Sequence, residues 1–280
     1  MTWHAQLQLK YQLENQKTVC RHVHTGPLRI LQSLYPEGDA VCHNVLVHPP
    51  GGLVGGDTLD IDVHVAQEAH GLITTPGATR FYRSEGGTAL QNTSIKLDAG
   101  ARLEWLPLEA LCYSGCLAEN RLVMDLAPSA ELIGWDATAL GLPSANLPFE
   151  HGKFLQHIEL KKQWLERGRI AAKDTLLLNS PLGLAGHRCV ASLFFVAGTA
   201  ISRSRKENAL EATRAVASSH ALTSTVGVTS PHPQVIVVRV LSPLVESAMG
   251  LLRIIRQVWR SELWELKNEH PPRILSLIHI

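Results

Sequence analysis

A mainly β fold with two α-helices in its C-terminal part is what the sequence predicts, on three observations. The run LDIDVHV sets Leu59, Ile61, Val63 and Val65 on one face and Asp60, Asp62 and His64 on the other, the two-residue period of a half-buried strand. Comparable short runs recur as VCHNVLVH, GLITT, TSIKL, ARLEWL, NRLVMDL, FLQHIEL, ASLFFVA and PQVIVVRVL, punctuated by turn clusters such as PGA, SEGG, LDAGA and APSA. Only two segments carry a helical period, and both lie late in the chain.

Taken in order, the first residues, MTWHAQLQLKYQ, alternate polar and apolar without an apolar signal core, and no later run approaches the ~20 residues of a spanning helix. A soluble, unexported, cytoplasmic protein is expected. The stretch HPPGGLVGGDTLDIDVHV, His48 to Val65, puts four glycines and two prolines ahead of the clearest strand. Such glycines permit positive φ or close approach of another backbone, and prolines remove donors, so a tight irregular connection is expected there. The first helix, ENALEATRAVASSHAL (Glu207 to Leu222), is Ala-rich with Leu210, Ala217 and Ala221 on one side. The second follows Ser242 as N-cap and Pro243 in its first turn. Leu244, Ala248, Leu251, Ile255, Val258 and Leu263 form its apolar stripe, while Arg253, Arg256 and Arg260 line another face. No linker, low-complexity run or internal repeat divides the chain.

Lys and Arg total 26 against 25 Asp and Glu, so no net field steers the chain to nucleic acid or to an anionic membrane. Five irregularly spaced cysteines, Cys20, Cys42, Cys112, Cys116 and Cys189, suit a reducing compartment better than a disulfide framework. Charged residues make up 18% of the chain and apolar ones 45%, less polar surface than a dispersed monomer uses; partners are expected to cover part of the exterior.

Sites of chemistry are sparse. A phosphate loop needs Lys and then Ser or Thr after its last glycine, whereas Asp57 follows Gly56 and would repel phosphate. The dinucleotide pattern fails as well, because the glycines come in adjacent pairs ahead of a strand. His22 and His24 would share a strand face, with His43, His48, His64 and His70 scattered nearby, but a metal site needs further ligands. The CYSGC run reads as a buried strand-and-turn pair, and no GxSxG elbow is present. Asp57, Asp60, Asp62, Glu104 and Glu109 read as solvated strand faces or as polar lining of an internal path. Two such carboxylates on a β scaffold also admit a β-helical carbohydrate-active enzyme or lectin, against which stand the 5% of aromatic residues.

Five blocks, in order, carry a family likeness: GPLRILQSLYPEG, CHNVLVHPPGGLVGGDTLDIDV, HGLITTPGATRFYRS, ARLEWLPLEAL and AELIGWDATALG. They strongly resemble the urease accessory protein family UreD, also called UreH. WLERGRI, SPLGLAGH and the terminal helix followed by PPRI extend the likeness over nearly the whole chain. The resemblance implies a helical β-sheet (β-helix-like) architecture with two helices and a non-enzymatic scaffold. It implies binding to apo-urease and to UreF, which recruits the GTPase UreG, and dimers within that accessory complex. The resemblance implies no tightly bound cofactor, and implies nickel in transit along a path through the protein. The family motifs place scaffold or interface roles on Gly51, Gly52, Gly55, Gly56, Asp57, Thr75, Pro76, Gly77, Arg80, Tyr82 and Arg83. Asp57, Glu104 and Glu109 are the expected way stations for the metal, since a moving ion exchanges weak oxygen or imidazole partners.

Two departures stand out. Where relatives carry a basic residue and a Gly-Glu pair after LG, this chain reads Leu142 and then PSANLPFEHG. The final LSLIHI is what CTG TCT CTT ATA CAC ATC encodes, the recognition end of a transposase used to prepare sequencing libraries. Residues 275–280 are therefore read as an adapter scar and 1–274 as one UreD-like domain.

Overall fold

The computed structural model describes residues 2–266; PPRI and Leu275 to Ile280, read above as a scar, lie outside the described residues. The chain opens with β1 (His4–Glu14), β2 (Lys17–Thr25), β3 (Arg29–Ile30), β4 (Val41–Val47) and β5 (Gly52–Leu53). Then come β6 (Thr58–Val65), β7 (His70–Thr74), β8 (Thr79–Phe81), β9 (Ala89–Leu97), β10 (Arg102–Leu106) and β11 (Ala110–Cys112). The longer β12 (Leu117–Leu126) and β13 (Glu131–Leu140) precede β14 (Lys153–Leu160), β15 (Trp164–Ala171) and the short helix α1 (Thr175–Asn179). Finally β16 (Cys189–Ala197), α2 (Arg203–Ser219), β17 (Val226–His232), β18 (Val235–Ser242) and α3 (Val245–Trp264) follow.

The architecture is a β-solenoid. One sheet runs β15-β14-β12-β9-β6-β1-β2 and the other β17-β18-β16-β13-β10-β7-β4-β3, with β5, β8 and β11 as a short third ladder. Successive coils stack in parallel, so that Thr58 pairs with Leu90, Leu90 with Glu119 and Glu119 with Leu155. The coils differ in length, which is why no period shows in the sequence. Antiparallel strands close the stack: β2 folds back on β1, β15 on β14, and β16, β18 and β17 extend the larger sheet. The β1–β2 turn uses Asn15 and Gln16 at φ 48° and 67°, the positive pair that matches a two-residue hairpin to strand twist.

Alternation sorts the strands into two cores. Leu59, Ile61 and Val63, with Leu103, Trp105 and Leu132, face into the coil. Leu72, Ile133, Trp135, Phe195 and Val238 face outward and are covered by α2 and α3 through Ala209, Leu251, Leu252, Ile255 and Trp259. Asp60 and His64 take the opposite face of β6, as the alternation predicts.

Helix ends differ from the expectation. The first helix starts earlier and stops at Ser219, leaving Ala221 exposed, and it buries Ala209, Thr213 and Ala217. The second is capped at Leu244 rather than Ser242, whose hydroxyl donates to the Leu244 carbonyl. The arginine face that the spacing predicts turns inward rather than to solvent: Arg256 and Arg260 are buried. Five-residue α1 is too short to leave a period; Asp174 caps it by accepting from Leu177 N at 2.9 Å. No helix among the described residues is long and apolar enough to cross a membrane.

Candidate functional site

The quoted glycine-rich motifs meet at one corner of the coil. Gly52 of β5 pairs with Arg80 of β8, and Leu53 with Phe81. On the other side of β8, Thr79, Arg80 and Phe81 pair with Ala110, Leu111 and Cys112 of β11, which in turn pairs with the end of β13. Four of the five blocks thus form one continuous ladder. The glycines act in two ways. Gly51, Gly55 and Gly56 hold φ of 74°, 57° and 90°. Gly52 admits close approach instead: a Cβ there would lie 2.7 Å from the Arg80 carbonyl oxygen and collide with the Tyr82 ring. Gly77 faces open space.

Behind this corner lies a cavity of about 130 Å³. His48, Gly51, Thr75 to Arg80 and Pro107 form its rim, and the inward residues Leu59, Ile61, Gln91 and Trp105 its floor. The Thr75 hydroxyl donates to the Gly77 carbonyl and accepts from Leu108 N, which ties the Pro76-Gly77 turn to the next coil. Tyr82 packs on Tyr113 with ring centroids 4.9 Å apart, and the stem of Arg83 lies over Gly115. Pro76, Gly77, Arg80, Tyr82 and Arg83 are exposed, so the corner presents an aromatic and basic surface.

Asp57, Glu104 and Glu109 do not share an environment. Asp57 is buried, and its two oxygens accept from Trp3 N (3.2 Å) and Val54 N (3.0 Å). Glu104 lies on the outer face of β10 beneath α3, where Arg256 Nε donates to Oε2 at 2.6 Å and Arg260 Nη1 to Oε1. Arg260 also binds Glu37, which accepts from His43 at 2.8 Å. Burial pushes the Glu104 carboxyl up and the two guanidiniums overrule it, so its pKa ends below the usual range. Glu109 is half-buried near Glu246, Arg253 and Arg80; burial first, then Glu246, raises its pKa.

The inner wall carries polar residues that sequence reasoning missed. Leu59, Gln91, Asn120 and Gln156 stand in register on β6, β9, β12 and β14, so three amides stack along the solenoid axis from the cavity floor. Thr79 Oγ1 donates to Gln91 at 3.4 Å, Gln91 Nε2 to Asn120 at 3.3 Å, and Asn120 Nδ2 to Asp136 at 2.8 Å. Gln156 also donates to Asp136. With neutral partners, burial dominates and pushes the Asp136 carboxyl up to about 6. One signal was available: the acid interrupts the apolar run ELIGWDATAL at an inward position. Its amide partners belong to other coils and could not be assigned from sequence.

Of the histidines, His22 and His24 stack on exposed β2 and His64 pairs with Asp98 at 2.8 Å. Cys112 and Cys116 are buried on either side of a turn, as expected. Among the described residues no three or more His, Cys, Asp or Glu side chains converge on a metal position.

Parallel coils, a glycine-built corner and a helix-covered outer face define the class, a β-solenoid whose distinguishing motifs are gathered on its shortest face. The model of the UreD urease accessory protein family matches residues 4–276. Relatives named "Urease accessory protein UreD" include those of Polaromonas naphthalenivorans, 65% identical over 277 residues covering 99% of this chain and 100% of the relative. That of Paracidovorax citrulli is 66% identical over 271 residues (97% and 98%), and that of Methylibium petroleiphilum 46% over 291 (97% and 98%). The chain belongs to the UreD family of urease accessory proteins.

Proposed function

We propose that this chain is a non-catalytic scaffold of urease maturation in the cytoplasm. It binds apo-urease and UreF, UreG joins through UreF, and nickel delivered by UreG passes along the inside of the coil to the urease site. One observation carries the path: the file Gln91–Asn120–Asp136–Gln156 that leads inward from the motif-lined cavity. Neutral amides and a single carboxyl offer a cation weak, exchangeable oxygen partners, whereas a closed multidentate site would retain it. The exposed Tyr82, Arg80 and Arg83 offer a partner the aromatic and guanidinium groups that anchor protein interfaces. Leu176 and Leu182, 76% and 100% exposed, add uncovered apolar surface, in keeping with a chain that works in a complex. The relatives' name favours this reading over a carbohydrate-active enzyme or lectin.

The test is co-expression with UreF, UreG and apo-urease. Wild type should co-purify with UreF and apo-urease and yield nickel-loaded urease. Asp136→Asn should keep the complex and lower the nickel content of urease. Tyr82→Ala with Arg80→Ala should weaken the complex itself. Full nickel loading with Asp136→Asn would remove the file from the path, and failure of the wild type to retain either partner would remove the scaffold role.

A further inference from the structure

The outer face of the seven-stranded sheet holds a groove of about 460 Å³ lined by Lys10, Arg21, His22, His64 and Lys96, with Asp62 its one carboxylate. Register explains the arrangement. Arg21 pairs with Lys10, Lys10 with His64 and His64 with Lys96. Residues in register share a face about 4.8 Å apart, so these four basic side chains form a straight row roughly 14 Å long across β2, β1, β6 and β9. Bases set directly opposite one another disfavour the isolated sheet. The core does not require them, because Leu9, Val63 and Ile95 of the same strands point the other way.

Local acids offset only part of the row. Arg21 pairs with Glu14 and His64 with Asp98, and Asp125, ion-paired with Lys161, stands in register beside Lys96 at the end of the row. Lys10, Lys96 and the neighbouring His22 have no ion-pair partner among the described residues. Asp62 sits one row away, opposite Gln8 and Ser94, where burial and then Asp60 raise its pKa. Val23, 68% exposed, lies opposite Gln8 and gives the groove an apolar shoulder.

We propose that this row is a docking track for an extended acidic segment of a partner protein, laid across the four strands. A segment of about five residues at ~3.3 Å each spans the row and turns alternate carboxylates toward it. The proposal goes beyond the scaffold reading and concerns a different sheet from the motif corner. A protein segment fits better than nucleic acid because the row is short, has an apolar shoulder, and lies on a chain of formal net charge +1.

The test is fluorescence anisotropy of a labelled oligo-glutamate peptide titrated with the full chain, alongside inorganic triphosphate and a single-stranded DNA oligonucleotide as competitors. Wild type should bind the peptide saturably, with affinity falling as salt rises from about 0.05 to about 0.3 M. Lys10→Glu with Lys96→Glu should weaken binding at least about tenfold without lowering the melting temperature. Should that variant fail to fold, Lys10→Gln with Lys96→Gln reads the same loss without charge reversal. No binding by wild type, or undiminished binding by the folded variants, overturns the track. Equal competition by triphosphate or DNA overturns the assignment to a protein segment. Neither result bears on assembly with UreF or apo-urease.

Discussion

Glu104 and Asp136 are buried carboxylates on adjacent strands of one sheet, and they have opposite surroundings. Glu104 faces outward and is held by Arg256 and Arg260, which keep it ionised and pin α3 to the coil. Asp136 faces inward among Asn120, Gln156 and Thr138, none of which carries charge, and its pKa rises to about 6. Burial is common to both; charged partners make one an anchor, and neutral partners leave the other able to exchange a proton near pH 6.

The largest break in that contrast should come from Glu104→Gln. It leaves two guanidiniums buried without their shared anion, a loss of about 3–5 kcal/mol read as a lower urea midpoint. Asp136→Asn should alter the shape of the stability curve. The folded pKa of Asp136 lies above the unfolded value, so its contribution is fully present below about pH 4 and is lost as pH rises through about 6. Across that window the loss amounts to at most about 3 kcal/mol. Melting at stepped pH should show the decline in wild type and a flatter profile in the variant; identical profiles would place the titration elsewhere.

The corner separates its own glycines. Gly52→Ala should cost about 1–3 kcal/mol by overpacking against Tyr82 and the Arg80 carbonyl, with a change in near-ultraviolet circular dichroism as the Tyr82–Tyr113 pair shifts. Gly55→Ala meets no atom and should cost about 1–2 kcal/mol through its positive φ alone, leaving that signal intact. Asp57→Ala removes two backbone hydrogen bonds at about 1 kcal/mol each, so a loss of about 2 kcal/mol, close to that of Gly55→Ala, is expected by thermal melting.

Local chemistry was legible and long-range partnership was not. Alternation on β6 and the positive φ of Gly51, Gly55 and Gly56 follow from properties of a few consecutive residues. The arginine face of α3 was visible as spacing, but spacing cannot say that Glu104, 152 residues before Arg256, waits beneath it. Asp136 was hidden for a similar reason. Gln91, Asn120 and Gln156 sit in coils of unequal length, so their stacking has no sequence period. Glu104 and Asp57 were readable as acids near motifs, while the saturation of their oxygens by guanidiniums and backbone amides was not.

The distance along the chain between Glu104 and α3 also sets an order of events during synthesis. Each coil can stack on its predecessor as it leaves the ribosome, because its contacts reach back only to the neighbouring coil. Arg256 follows Glu104 by 152 residues, roughly 8–30 s at ribosomal rates. Until then the outward faces of β10 and β13 lack α3, with the carboxylate of Glu104 missing both its arginines amid Leu72, Ile133 and Trp135. The nascent chain is therefore most vulnerable to aggregation just before its last helix emerges, and chaperone occupancy should fall when α3 closes.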